Sequence, residues 1–213
     1  MQRSWGRDRP EIGLDEAGRG CLAGPVTAGA VWLWPGKRCP SGLTDSKAVS
    51  PAKRTALRHW IEAEALAWGV GWCSPAEIDD LNILQASVKA MHRAVEALVS
   101  QLAERRKLDA RVQSLPTTYW ALSPRLLVDG HYFRPVQGLE HRCERRGDAR
   151  FRHIAAASIL AKTHRDEEMR RLAEQYPGYG WASNKGYPSI DHRRALGNLG
   201  PSDVHRRSFR LEY

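Results

Sequence analysis

The sequence predicts an α/β fold in a single domain, residues 1–213, and three observations favour this class. At 213 residues the chain is long enough to bury one sizeable hydrophobic core. Short runs of β-branched and aromatic residues alternate with longer segments of helical periodicity, as in a sheet covered by helices. No internal repeat or linker divides the sequence, so we expect one folded unit after a loose leader at residues 1–10.

The first half of the chain predicts a hairpin, a helix and a third strand. Residues 11–16 and 25–34 are predicted as antiparallel strands joined by a glycine-rich turn. The Ser-Pro pair that opens 50–64 has the N-cap and N1 chemistry of a helix. Residues 65–73 are predicted as a strand, although two glycines within it are unfavourable for a strand.

The second half is predicted to be mostly helical. A second Ser-Pro pair opens a short helix that Asn82 interrupts, and apolar residues over 84–102 then recur every three or four positions, as in an amphipathic helix. Residues 109–124 carry two prolines and are predicted as a surface loop. The remaining predicted elements are a short strand over 125–129, a long helix over 154–176 and a last helix over 189–199. The Arg- and His-rich segment 131–152 is assigned no element.

Composition restricts the class of partner. The formal net charge is +9, which favours a polyanionic partner, most commonly nucleic acid. No apolar run approaches the ~20 residues of a membrane span, and the N-terminus lacks the apolar core of a secretory signal. The four cysteines form no C-x-x-C pair. We therefore expect a cytoplasmic protein without a membrane partner, without a zinc ribbon or disulfide framework, and monomeric by default.

The most distinctive stretch is IGLDEAGRGCLAGP at 12–25, which carries the adjacent carboxylates of Asp15 and Glu16. Neighbouring side chains on a regular strand point to opposite faces. If both acids serve one site, the strand must end or twist here, or one acid must act through its backbone carbonyl. An acidic motif in a basic protein is best explained by a divalent metal between carboxylates and a phosphate.

The glycine-arginine-glycine step that follows suits a phosphate-bearing ligand. Gly18 and Gly20 permit close approach of the backbone, and Arg19 between them is a bidentate phosphate donor. The structural alternative is a strand followed by a turn with solvated charges.

A further candidate acid, Asp129, ends the predicted strand over 125–129, which is a favoured position for site residues in α/β folds.

Nine strings in the chain together resemble the ribonuclease HII family, the type 2 ribonucleases H. They occur in the family's order from about residue 11 to 209. The strings are LDEAGRGCLAGPV at 14–26, LTDSK at 43–47, IDDLNILQAS at 78–87, LVDG at 127–130, GD at 147–148, AAASILAK at 155–162, YPGYG at 176–180, KGYP at 185–188 and HRRSF at 205–209.

The resemblance implies a ribonuclease-H-like fold, with a mixed central sheet between helices and a helical, substrate-binding part at about 177–213. It also implies a four-carboxylate site of Asp15, Glu16, Asp129 and Asp148 that binds Mg²⁺ or Mn²⁺, with two ions. Spacing alone does not distinguish Asp148 from a solvated turn aspartate, so its assignment depends on the resemblance.

The implied activity is cleavage of the RNA strand of RNA/DNA hybrids and cleavage 5′ of single ribonucleotides in duplex DNA, leaving a 3′-hydroxyl and a 5′-phosphate. Gly18, Arg19 and Gly20 resemble the family's reader of the RNA–DNA junction. Tyr187 resembles the tyrosine that stacks on the following deoxyribose, although alone it would more often be a packing residue. Further candidate phosphate contacts are Thr44, Lys47 and Asn82.

Several points stay open. The basic segment His205-Arg206-Arg207 suits either phosphate binding or a structural tail. Cys21 replaces a proline usual in the family, and His131 stands where an asparagine is frequent. The alternatives are ribonuclease HIII, which usually carries an N-terminal domain and a lysine in the glycine step, another nuclease of ribonuclease-H-like fold, and a non-catalytic nucleic-acid-binding module.

Overall fold

A mixed five-stranded sheet forms the centre of the computed structural model, which describes residues 9–211. Its strands are β1 (Glu11–Ala17), β2 (Val26–Trp32), β3 (Ala67–Cys73), β4 (Arg125–Asp129) and β5 (His141–Glu144). They lie in the order β3-β2-β1-β4-β5. The strand β2 pairs antiparallel with both β1 and β3, whereas β4 pairs parallel with both β1 and β5. The predicted hairpin is confirmed, whereas most of the predicted leader, residues 1–8, lies outside the described residues.

Helices cover both faces of the sheet, in agreement with the predicted α/β class. The helix α3 packs on β2 and β3, α6 packs on the opposite face over β1 and β2, and α1 packs against α6. Ser50 and Ser74 cap α1 and α2, as predicted. The helices are α1 (Pro51–Glu64), α2 (Pro75–Leu81), α3 (Ile83–Leu108), α4 (Ala110–Gln113), α5 (Thr117–Ala121), α6 (Arg152–Gln175), α7 (Trp181–Asn184) and α8 (Ile190–Leu199).

Strand glycines allow the two long helices to lie unusually close to the sheet. A Cβ added at Gly13 or Gly29 would overlap backbone atoms of α6, and one added at Gly69 or Gly71 would overlap backbone atoms of α3. These glycines therefore mark close backbone approach, which explains why a strand tolerates two of them at 67–73.

The prediction of a surface loop over 109–124 is wrong. Asp109 caps the short helix α4, and α5 follows after Pro116. The indole N–H of Trp32 donates to the hydroxyl of Tyr119 at 2.8 Å, so this segment covers one end of the core. The strand β5 was not predicted, because its sequence HRCE has no apolar alternation. Among residues 9–211, no helix combines the length and apolar character needed to cross a membrane.

Candidate active site

The adjacent acids Asp15 and Glu16 lie at the carboxyl end of the central strand β1. The strand extends one residue further, to Ala17, and both acids line the same cleft, while Glu16 also lines an adjoining pocket with residues of α3. Asp15 is only 5% exposed, and its Oδ1 accepts the backbone N–H of Glu16 at 2.7 Å. The Arg19 guanidinium donates to Oε1 of Glu16 at 3.1 Å.

Asp129 and Asp148 reach the cleft from the neighbouring part of the sheet. Because β4 is parallel to β1, its last residue Asp129 lies at the same sheet edge as Asp15. Asp148 lies in a short 3₁₀ turn, Gly147–Ala149, after β5. The Gly147 N–H donates to Oδ1 of Asp129 at 2.7 Å, which joins this turn to the strand end.

Burial raises the pKa of all four carboxyl groups, and repulsion from neighbouring carboxylates adds to this effect for Asp15, Glu16 and Asp148. For Asp15, burial and then the charges of Glu16 and Asp129 hold the pKa well above its ordinary 3.8. Burial also raises the pKa of Glu16, against the opposing effect of Arg19, and that of Asp129. For Asp148, burial and then the charge of Asp129 raise the pKa to about 6. The cleft therefore holds several carboxyl groups whose charged forms are disfavoured, even with Arg19 and Lys47 beside them.

This donor set fits a hard divalent cation. All four groups offer carboxylate oxygens, the ligands preferred by Mg²⁺ and Mn²⁺, and a bound cation would relieve their repulsion. Within residues 9–211, no three His, Cys, Asp or Glu side chains are already close enough to form a finished metal site. Repelling carboxylates are expected to draw together only around a cation.

The cleft brings most of the predicted substrate-binding residues beside the carboxylates. It has a volume of about 240 Å³. Besides the four acids, its lining includes Gly18, Arg19, Gly20, Lys47, Lys162 and Tyr187. The Tyr187 side chain is 37% exposed there, so it is available for stacking.

Two predicted phosphate contacts, Thr44 and Asn82, do not line this cleft. Asn82 has a left-handed φ of 66°, and its side-chain oxygen caps α3 by accepting the N–H groups of Leu84 and Gln85. Its amide oxygen is therefore engaged in the fold. Thr44 is half-buried just before the 3₁₀ turn Ser46–Ala48 that carries Lys47.

Sequence reasoning missed two residues of α6 that line the cleft, Ser158 and Lys162. They are one helical turn apart, so they lie on the same face of the helix. The Ser158 hydroxyl donates to Ser46 at 3.0 Å, and Lys162 pairs with Asp166 at 2.6 Å. Their four-residue spacing in AAASILAK indicates a shared face but not which face meets the cleft.

Buried arginines hold the chain that follows the glycine-arginine-glycine step. Arg165 and Arg206 are 1% and 0% exposed. Arg206 donates to the carbonyls of Arg19, Gly24 and Pro25 at 2.9 to 3.1 Å. Arg165 donates to those of Ala23, Pro25 and Lys185 at 2.9 to 3.1 Å.

The structure separates the three residues of the basic segment His205-Arg206-Arg207, which suited either phosphate binding or a structural tail. His205 and Arg206 are buried and serve the fold, whereas Arg207 is exposed.

Cys21, the departure from the usual proline, is fully buried, and burial raises the pKa of its thiol. His131 is exposed at the mouth of an adjoining pocket beside Asp129.

Comparisons with known proteins agree with this architecture. The family model described as Ribonuclease HII matches residues 12–212. Ribonuclease HII of Porphyromonas gingivalis is 49% identical over 203 residues, which cover 95% of this chain and 90% of the relative.

Two solved structures share the fold. The ribonuclease H2 of Pyrococcus horikoshii OT3 matches with a TM-score of 0.66 and 25% identity, covering 95% of this chain and 94% of that one. The Bst-RNase HIII structure in complex with Mn²⁺ matches with a TM-score of 0.57 and 18% identity, covering 95% of this chain and 68% of that one. The fold is therefore that of ribonucleases H, as predicted, and the chain belongs to the ribonuclease HII family, whose members are divalent-metal-dependent ribonucleases H.

Proposed function

We propose that this ribonuclease H cuts the RNA strand of RNA/DNA hybrids and cuts duplex DNA on the 5′ side of a single embedded ribonucleotide, leaving a 3′-hydroxyl and a 5′-phosphate. The observation that carries the proposal is the single cleft lined by four carboxylates, the 18–20 loop and Tyr187. The net charge of +9 supports a nucleic-acid substrate.

Asp15, Glu16, Asp129 and Asp148 are proposed to hold two divalent ions, either Mg²⁺ or Mn²⁺. When bound, such ions supply an activated water and stabilise the leaving oxygen of a phosphodiester. The raised pKa values of Asp15 and Asp148 support the proposal, because burial and neighbouring carboxylates disfavour the charged forms that a bound cation would stabilise.

The protein's own groups are proposed to bind and orient the substrate. The backbone at Gly18 and Gly20 can approach a ribose closely, and the 2′-hydroxyl is the group that separates RNA from DNA. The guanidinium of Arg19, 41% exposed beside Glu16, and the ammonium of Lys47 suit phosphate oxygens. The partly exposed Tyr187 ring offers a stacking surface for the next sugar. Direct phosphate roles for Thr44 and Asn82 have less support, because neither lines the cleft.

Cleavage of four labelled duplexes tests the proposal. They are DNA with one ribonucleotide, the matched all-DNA duplex, a long RNA/DNA hybrid and a ribonucleotide-free branched DNA, each incubated with Mg²⁺ or Mn²⁺. We expect cutting of the first and third only, with the first cut 5′ of the ribonucleotide.

The other outcomes separate the alternatives. Cutting of the hybrid alone would indicate a hybrid-restricted enzyme closer to ribonuclease HIII, and cutting of the branched DNA would indicate another nuclease of this fold. Cleavage of none would leave a nucleic-acid-binding module. The proposal includes a cytoplasmic monomer, and light scattering of the free protein tests the monomeric state.

A further inference from the structure

Two buried histidines lie side by side behind Tyr187. His192 belongs to α8 and is 0% exposed, and His205 belongs to the C-terminal segment and is 1% exposed. Their Nε2 atoms are 3.1 Å apart. Neither ring lines the carboxylate cleft, and neither has a part in the function proposed above.

The hydrogen bonds around His205 fix which of its nitrogens carries the proton. The backbone N–H of Ser202, which can only donate, lies 2.9 Å from Nδ1 of His205, and the Ser202 hydroxyl lies at the same distance. Nδ1 is therefore the acceptor, and the neutral ring carries its proton on Nε2. That Nε2–H is directed at His192.

The same reasoning fixes the tautomer of His192. Its Nε2 accepts the indole N–H of Trp181 at 2.9 Å and shares its single lone pair with the His205 Nε2–H at 3.1 Å, so this nitrogen is unprotonated and Nδ1 carries the proton. Nδ1–H then donates to the backbone carbonyl of Tyr187 at 2.9 Å. Burial lowers the pKa of both rings, that of His205 to about 4, which keeps them neutral. The hydrogen bonds run in one direction, from Ser202 through His205 and His192 to Tyr187.

The segment held by this chain of hydrogen bonds has no regular structure of its own. Tyr187 lies between α7 and α8, directly after two residues with left-handed φ, Lys185 at 51° and Gly186 at 80°. The Tyr187 ring is 5.9 Å from the Arg165 guanidinium and lines the cleft. The Ser189 N–H also donates to the Tyr187 carbonyl, at 2.8 Å, and the two bonds together fix this carbonyl and constrain where the ring stands.

We propose that His192, oriented by His205, is a positioning residue that holds Tyr187 in the wall of the substrate cleft. This inference rests on the proposed function, which assigns Tyr187 to the sugar after the ribonucleotide. It also gives His205 of the HRRSF string a role in the site without any contact with substrate.

Nitrogen NMR of the full-length protein at about pH 7 tests the tautomers without reference to activity. We expect His192 protonated at Nδ1 and His205 protonated at Nε2. The opposite tautomer in either ring, or a doubly protonated ring, would overturn the inference.

Two substitutions of similar size separate positioning from stability. In His192→Asn the amide nitrogen takes the place of Nδ1 and can still donate to Tyr187. In His192→Gln the amide oxygen takes the place of Nε2, so the bonds from Trp181 and His205 remain and the bond to Tyr187 is lost. Both should lower the melting temperature, by about 4–8 °C, and His192→Asn by at least as much as His192→Gln, because it leaves the buried donors of Trp181 and His205 without an acceptor.

Activity on the single-ribonucleotide duplex should differ between them. We expect kcat/KM to fall about tenfold in His192→Gln and to stay within about threefold of wild type in His192→Asn, because small displacements of a binding group are costly. Equal losses in both variants would mean that His192 is only structural.

A double-mutant cycle with Tyr187→Ala asks whether His192 acts through that residue. In the Tyr187→Ala background, His192→Gln should cause less than a twofold further loss, since contacting residues are non-additive. A further tenfold loss would overturn the inference. Failure of the wild type to cut this duplex would instead contradict the proposed function, and the two tautomers would still test the hydrogen-bond chain.

Discussion

Replacing Asp148 with asparagine is expected to stabilise the metal-free protein above neutral pH. Burial, and then the charges of Asp129 and Asp45, raises the pKa of Asp148 from 3.8 to about 6. In the unfolded chain the carboxyl group returns to its ordinary pKa near 4. The folded state therefore binds more protons than the unfolded state between these values, and ionisation of Asp148 destabilises the fold as the pH rises from about 4 to 6.

The magnitude follows from the size of the shift. At 1.36 kcal/mol per pKa unit, the full shift corresponds to about 3 kcal/mol. Because Asp148 is only half-buried, screening by water reduces this to about 1 kcal/mol. In a chain of 213 residues, that difference moves the melting temperature by about 2–4 °C.

Thermal unfolding in EDTA provides the assay. We expect Asp148→Asn to melt about 2–4 °C above wild type at about pH 8, and the difference to disappear near pH 4. The exposed Asp203 supplies a control, because Asp203→Asn changes the charge equally outside the cleft. Addition of Mg²⁺ should raise the melting temperature of wild type more than that of Asp148→Asn. If Asp148→Asn is no more stable than wild type at about pH 8, then burial and the neighbouring carboxylates do not disfavour the charged form of Asp148, and the reasoning is refuted.

Two further substitutions test how the sheet and the loop are held, both by urea unfolding. Gly29→Ala would press a Cβ against the Ala157 carbonyl and should lower the free energy of unfolding by about 1–3 kcal/mol. Gly20→Ala meets no neighbouring atom and should change it by less than about 0.5 kcal/mol, so equal losses would contradict the close packing. Arg206→Lys loses directed donors to three carbonyls and should cost about 2–3 kcal/mol. The exposed control Arg207→Lys should be nearly neutral, and a neutral Arg206→Lys would show that these bonds contribute little.

The sequence predicts elements best where the local pattern and the tertiary context agree. The hairpin of β1 and β2 and the long helices α3 and α6 follow from apolar periodicity and turn chemistry. The glycines of β3 are unfavourable in a local reading, and their purpose becomes visible only with α3 packed against them. The strand β5 has no apolar pattern and forms because β4 offers it a parallel partner.

The segment over 109–124 failed as a prediction because its order is set at long range. Prolines suggested a loop, yet one of them, Pro116, is the N-cap of a helix. The Tyr119 hydroxyl meets Trp32, a residue 87 positions away in the sequence. Local turn chemistry contains no information about such a contact.

The candidate site was predictable to different extents. Asp15, Glu16 and Asp129 stand at strand ends, where an α/β sheet places its site residues, so pattern alone suggests them. Asp148 lies in a charged turn and was suggested only by the resemblance to ribonuclease HII. Lys162 was missed, because the helix face that meets the cleft depends on how α6 packs.

Cleavage by four single variants tests the central claim most directly, that the four carboxylates form the metal-binding catalytic site. The substrate is the duplex with one ribonucleotide, and the variants are Asp15→Asn, Glu16→Gln, Asp129→Asn and Asp148→Asn. The control is Glu104→Gln, an acid on α3 that is 64% exposed and does not line the cleft. We expect each of the four to lower the cleavage rate more than about 100-fold and the control to leave it unchanged. Folded variants of the four acids that cut at the wild-type rate would contradict the claim.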